Sequence, residues 1–163
     1  MASTYEPIAS QSFSNVASVT FSGISGSFTD LVLQGYLYGV SGNGTAGFRV
    51  GNGTIDTGSN YSETELYGLG SSVGSQRQSS QAAISVGRAT GVGSSDPYIV
   101  RVNLLSYSNT NVYKTFLFEM GTAGLGVIRQ VGLWRSTSAI DNVRVQMGIN
   151  ITGILSLYGV KAA

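Results

Sequence analysis

The chain contains no cysteine and no histidine. Without cysteine there is no disulfide, no thiolate nucleophile and no Cys-ligated zinc. Without histidine the commonest general base is missing. Gly70-Ser-Ser-Val-Gly74 matches the nucleophile-elbow pattern G-x-S-x-G, yet Ser72 has no partner of the usual kind. A Ser–Lys pair would have to draw on Lys114 or Lys161, the only lysines, and chance in a Gly- and Ser-rich chain is the better account. Charge is scarce as well. Charged residues make up 10% of the chain, against roughly 25% in ordinary soluble domains. The net charge of +1 gives no electrostatic footprint for nucleic acid. No apolar run approaches the ~20 residues that span a bilayer as a helix. The opening Met1-Ala-Ser-Thr-Tyr-Glu-Pro7 has no basic and then apolar run, so no secretory signal is expected and the chain is read as made in a cytoplasm.

What remains is polar, glycine-rich and periodic. Of 163 residues, 23 are Gly and 42% are hydrophobic, enough for one domain with a core but poor in helix formers. The clearest stretch is Asp96 to Met120. Tyr98, Val100, Val102 and Leu104 alternate with Ile99, Arg101, Asn103 and Leu105. Phe116, Phe118 and Met120 share a face with Lys114, and 106–111 between them is a polar turn. This reads as a hairpin with Phe118 on the core side and Tyr107 exposed in the turn. Further strands are expected at Val16 to Phe21, Leu31 to Gly39, Phe48 to Val50, Thr64 to Gly68, Ala82 to Gly87 and Val127 to Trp134. Val143 to Met147 and Ile154 to Val160 complete the set. The segment 53–63 reads as loop, 70–80 as flexible, and 136–141 as a connection with room for one helical turn. About ten short strands imply an all-β chain, a single antiparallel β-sandwich of jelly-roll type over 12–163. Residues 1–11 precede it as an arm or edge strand, extended by Pro7.

The remaining motifs have plain explanations. Gly42-Asn-Gly-Thr-Ala-Gly47 matches G-x-G-x-x-G but leads into a strand rather than a helix, so it reads as a turn. Asp56 to Glu63 has oxygen ligands near calcium-loop spacing but few carboxylates. Glu63 and Glu65 fall on one face of a strand, where two acids on a polar edge are expected rather than an acid–base pair. Trp134, Tyr61, Tyr67 and Tyr107 are candidates for stacking on sugars, with core packing the expectation for Trp134. No catalytic, cofactor-binding or metal-ligating set emerges, and no cofactor is expected.

Several blocks carry a resemblance. They are Ser59-Asn-Tyr-Ser62 with Leu66-Tyr-Gly68, Tyr107-Ser-Asn109 with Tyr113-Lys-Thr115, Val131-Gly-Leu-Trp-Arg-Ser-Thr137 with Ala139-Ile140, and the closing Leu157-Tyr-Gly159. With the opening nine residues, they resemble small virion proteins of tailed bacteriophages, either capsid decoration (cement) proteins or modules of tail fibres and baseplates. The resemblance implies a non-enzymatic protein on the capsid exterior, a homotrimer whose partners are the major capsid protein and its own copies. The alternative it leaves open is a carbohydrate-binding module that recognises a host receptor. Tyr5, Pro7 and Ile8 are the candidate partner-contact residues of the arm, and Tyr107 is the candidate exposed aromatic.

Overall fold

The structure is a computed structural model and describes residues 5–41, 44–87, 92–93 and 96–161. These residues form eleven strands: β1 Tyr5–Phe21, β2 Asp30–Gly39, β3 Ala46–Asn52, β4 Thr54–Ile55, β5 Tyr61–Leu69, β6 Ser72–Gln81, β7 Ile84–Val86, β8 Tyr98–Leu105, β9 Lys114–Thr122, β10 Gly126–Trp134 and β11 Asn142–Val160. All pairings are antiparallel. They run β4-β3-β11-β2-β8-β9-β10-β5-β6, with β1 also on β11 and β7 also on β3. The result is one continuous sheet nearly closed into a barrel.

β11 is the spine. β1 follows one of its edges from Tyr5↔Val160 to Phe21↔Val143. The other edge is divided: β3 takes 142–147 and β2 takes 151–160. Residues 143–147 and 154–160, read as two strands from the sequence, are therefore one strand of 19 residues. Its inward positions keep one parity throughout, from Val143 and Val145 to Leu155 and Leu157. The division folds the sheet over itself, so β3 lies across β9. Phe48 meets Phe116 and Phe118 edge-on at 5.4 and 5.3 Å between ring centroids, an arrangement that suits the ring quadrupoles. Gly132 leaves the space beside them. A Cβ there would sit 2.5 Å from Ile84 Cδ1 and 3.0 Å from the Phe118 ring.

No ladder joins β5 to β3 and β7, and side chains bridge that seam instead. The Tyr61 hydroxyl donates to the Val50 carbonyl at 3.0 Å and accepts from the Val50 N–H at 3.2 Å, with the Asp56 carbonyl 3.1 Å away. The Glu63 carboxylate accepts from the Ser85 N–H of β7 at 2.5 Å and from Gln130 Nε2 of β10 at 3.0 Å. Glu63 and Glu65 are only 3% and 1% exposed. They do share a strand face, but it is the interior and not a polar edge, because β5 turns its hydrogen-bonding side chains toward backbone that has no strand partner.

Other expectations are corrected in the same region. The strand β5 begins at Tyr61, inside the stretch read as loop, and the stretch read as flexible forms β6. β6 (SVGSQRQSSQ) carries one apolar side chain among Ser, Gln, Gly and Arg, so its sequence has no strand pattern; pairing with β5 from Tyr61↔Gln81 to Leu69↔Ser72 supplies its order. No helical turn forms in 136–141.

Tyr107 is fully buried, not exposed. The turn folds back under the barrel end, where the hydroxyl donates to the Ser25 carbonyl and accepts from the Phe28 N–H at 3.3 Å. Its own carbonyl accepts from the Ile140 N–H at 2.9 Å. Beside it Lys114, also fully buried, closes the same turn. Its Nζ donates to the carbonyls of Asn109, Val112 (2.9 Å) and Thr137 (3.1 Å). Desolvation pushes the Lys114 ammonium below the usual lysine pKa.

Residues 5–11, the described part of the 1–11 segment, hold an edge-strand position, paired with 155–160 of β11. Pro7 faces Tyr158, and a register shift follows it. Ile8 packs against the core, while Tyr5 is exposed.

Two outcomes follow for stability. Phe118→Ala is expected to cost ~3–5 kcal/mol, and Tyr107→Ala a loss of similar size, because both empty a packed site. Tyr107→Phe should cost about 1–2 kcal/mol, leaving the Ser25 carbonyl and Phe28 N–H without their partner. Urea melts of the three variants check this, and a Tyr107→Ala midpoint equal to wild type would refute the burial of the turn. The second outcome concerns pH. Desolvation is the main cause that pushes the Tyr61 hydroxyl up to about 12 from 10.0. The folded state therefore holds this proton more tightly than the unfolded chain. Its contribution is complete below pH 10 and is lost as pH rises toward 12. The difference in stability between wild type and Tyr61→Phe should be constant up to about pH 9 and shrink above it; chemical melts across pH 8–12 read it directly.

Candidate interaction surface

On β5 and β10 the usual alternation is broken at several positions. Tyr61, Glu63 and Glu65 point inward from β5 while Leu66 points out. Gln130 and Gly132 point inward from β10 while Val127 and Val131 point out. The seam and the crowded ring beside Gly132 require the first set, and the aliphatic residues take the other face.

Register then assembles the outward residues into rows. The first row crosses seven strands: Ile154↔Tyr36, Tyr36↔Ile99, Ile99↔Gly121, Gly121↔Val127, Val127↔Gly68 and Gly68↔Val73. Every member is apolar, aromatic or glycine. Ile99, Val127 and Val73 are 63%, 68% and 86% exposed. At a strand spacing of about 4.8 Å the row is about 29 Å long. The two glycines interrupt it. A trough of about 720 Å³ opens at Gly68, between Leu66, Val73 and Val127. Another of about 370 Å³ opens at Gly121, between Ile99 and Val127. Met120 and Ile128 of the core form the floor.

The next row is charged at its centre. It runs Gln34, Arg101, Glu119, Arg129, Leu66, with Arg129 and Glu119 in an ion pair. The third holds Asn103, Leu117, Val131 and Thr64. Monomeric proteins rarely leave a contiguous aliphatic stripe of this kind uncovered, and such stripes mark sites of association.

Of the residues singled out in the sequence, Tyr67 and Gly74 line the first trough, and the others lie elsewhere. Trp134 is buried, and its Nε1 donates to Asp56 Oδ2 at 2.6 Å. Asp56 also accepts from Asn60 Nδ2 at 2.8 Å and the Gly58 N–H at 2.7 Å. Desolvation works to raise this carboxyl; the donors Trp134, Asn60 and Gly58, with the Arg49 charge, outweigh it and hold the pKa below the usual value. A carboxylate surrounded by N–H donors braces its loop and offers a cation little. Among the described residues no cluster of three or more His, Cys, Asp or Glu could hold a metal ion. Ser72 begins β6 just after the Gly70 turn, and the Lys114 amine is committed to carbonyls. The G-x-G-x-x-G stretch falls partly outside the described residues, and its end, Ala46-Gly47, begins β3. Tyr61 and Tyr107 are buried like Trp134, so none of the three offers a ring to a sugar. Tyr5, Pro7 and Ile8 lie on β1 and are absent from both troughs.

The parity of these strands has a direct check. Ile99→Ser and Val127→Ser should change stability by no more than ~0.5–1 kcal/mol, whereas Val102→Ala, fully buried on β8, should cost about 2 kcal/mol. Thermal melts distinguish them; equal losses would mean the faces are assigned backwards.

Against known proteins, the chain matches no family model and no curated protein.

Proposed function

We propose that the protein is a non-enzymatic structural component of a tailed-bacteriophage particle, a decoration protein that stabilises the assembled capsid from outside. The observation that carries the reading is the exposed aliphatic row with its two troughs, on a chain whose charged content is 10%. Such a surface is poorly defended against association and well suited to being covered. In this reading the protein is made in the host cytoplasm and joins the virion. It has a flattened, jelly-roll-like sandwich in which β3 and the first half of β11 form a layer over β8 and β9. Its partners are the major capsid protein and its own copies, arranged as the homotrimer that the sequence resemblance implies. The mechanism is mass action. Contacts that exist only in the assembled shell lower the free energy of that shell relative to its dissociated subunits.

The test is virion composition and shell stability. Purified particles should carry hundreds of copies on the head, and particles stripped of the protein should disrupt at lower temperature and recover when it is added back. A few copies on the tail, or no place in a particle at all, would refute the reading.

A further inference from the structure

We infer that the outer face of β8, β9, β10 and β5 docks on the same face of a second copy through a two-fold axis. The axis runs along the strands between β9 and β10. This goes beyond the capsid reading and holds in any setting, because it rests on the match of the face to itself.

Across β8, β9, β10 and β5 of the first row, large and absent side chains alternate strand by strand. Ile99 and Val127 project from β8 and β10, and Gly121 and Gly68 leave troughs at β9 and β5. A two-fold axis between β9 and β10 reverses the strand order, so β8 faces the partner's β5 and β9 faces the partner's β10. Each projection then meets a trough. Val127 enters the partner's trough at Gly121, Ile99 enters that at Gly68, and the partner repeats both contacts.

The same operation brings the second row into register. Glu119 faces the partner's Arg129 and Arg129 the partner's Glu119, so each ion pair within a copy gains a counterpart across the interface. In the third row Leu117 faces the partner's Val131, and Asn103 the partner's Thr64. No position in these four strands opposes a like charge. An isologous contact requires this self-complementarity of one patch, and shape and charge here satisfy it about a single axis. Packed sheets cross at about 30°, and a barrel wall curves away, so contact is confined to the strands nearest the axis.

A second copy is favoured over an unrelated partner by this double match. A foreign protein would have to reproduce both the spacing of about 9.6 Å between projections, two strand intervals, and the alternating charges.

Sedimentation of the full chain over a range of concentrations tests the inference. A reversible two-copy species of the free chain is expected, distinct from the homotrimer proposed for the particle. Gly68→Leu fills a trough from a position where an added Cβ meets only Val127 Cγ2, at 3.9 Å. It should weaken association at least roughly tenfold with an unchanged melting profile. Glu119→Arg should weaken it similarly by placing like charges opposite each other, and Glu119→Arg with Arg129→Glu should restore it. Because the chain lacks cysteine, Asn103→Cys copies mixed with Thr64→Cys copies should join through a short bismaleimide, and Asn103→Cys copies alone should not. A chain that stays monomeric at all concentrations would overturn the inference, as would a two-copy or three-copy species indifferent to Gly68→Leu. If the monomer binds particles and Gly68→Leu abolishes that binding, the face belongs to another protein and the inference fails.

Discussion

The seam between β5 and the β3–β7 pair is the constraint around which the molecule is arranged. A strand without a neighbour presents unpaired N–H and C=O groups, and burying them unsatisfied costs more than a hydrogen bond returns. β5 is already laddered on both edges, to β10 and to β6, and has no edge left for β3 or β7. It reaches across with side chains: the Tyr61 hydroxyl serves both polar groups of Val50, and the Glu63 carboxylate serves the N–H of Ser85. Each bridge requires a polar group deep inside, and the carboxylates of β5 have amide neighbours. Gln130 donates to Glu63, and Gln76 donates to Glu65 two residues further along β5. A buried carboxylate is tolerable only under such conditions, where its charge meets several donors.

This solution determines the outside of the barrel. Strand alternation is strict, so a strand that points Tyr, Glu and Glu inward must point its other residues outward. On β5 and β10 those others include Leu66, Val127 and Val131. The apolar face is thus the reverse side of the polar seam, and both are read from the same two strands. β8 contributes differently. Its inner residues Tyr98, Val100, Val102 and Leu104 are all apolar and buried, and Ile99 adds a further aliphatic group on the outside.

How much of this the sequence discloses depends on where the information resides. The central hairpin is legible because its inner positions are uniformly apolar, and Lys114 is legible as sharing a face with Phe116 and Phe118. That it is buried there is not, since its acceptors are backbone carbonyls from three separate positions, one of them at Thr137. Tyr107 misleads for the same reason: a polar turn suggests solvent, and only the return of residues 25–28 and 140 over that end encloses it. β6 has no pattern to read, because its order comes from β5. The glycines of the outer row are a purer case. Gly68 and Gly121 are 53 residues apart in the chain, and nothing marks them as neighbours of one valine until the registers of β5, β9 and β10 are known.

Two of the outlying strands of the sheet, β1 and β6, differ in a way that bears on which surface is left for association. β1 carries Pro7, a left-handed Asn15 (φ 57°) and three register shifts along its pairing with β11. Proline and bulges are the devices that discourage strand addition. β6, at the other end, has one left-handed residue, Ser80 (φ 56°), and a single register shift opposite β5. Its side chains are polar apart from Val73, so an added strand would gain main-chain bonds but little buried apolar area to offset its ordering. The outer face has the opposite balance, with aliphatic groups already held rigid by a sheet bonded on both sides. Backbone ordering entropy has been spent there in folding, so covering that face sets the apolar gain against rigid-body and side-chain entropy alone. Of these three surfaces, it is the one with the most apolar side-chain area to cover.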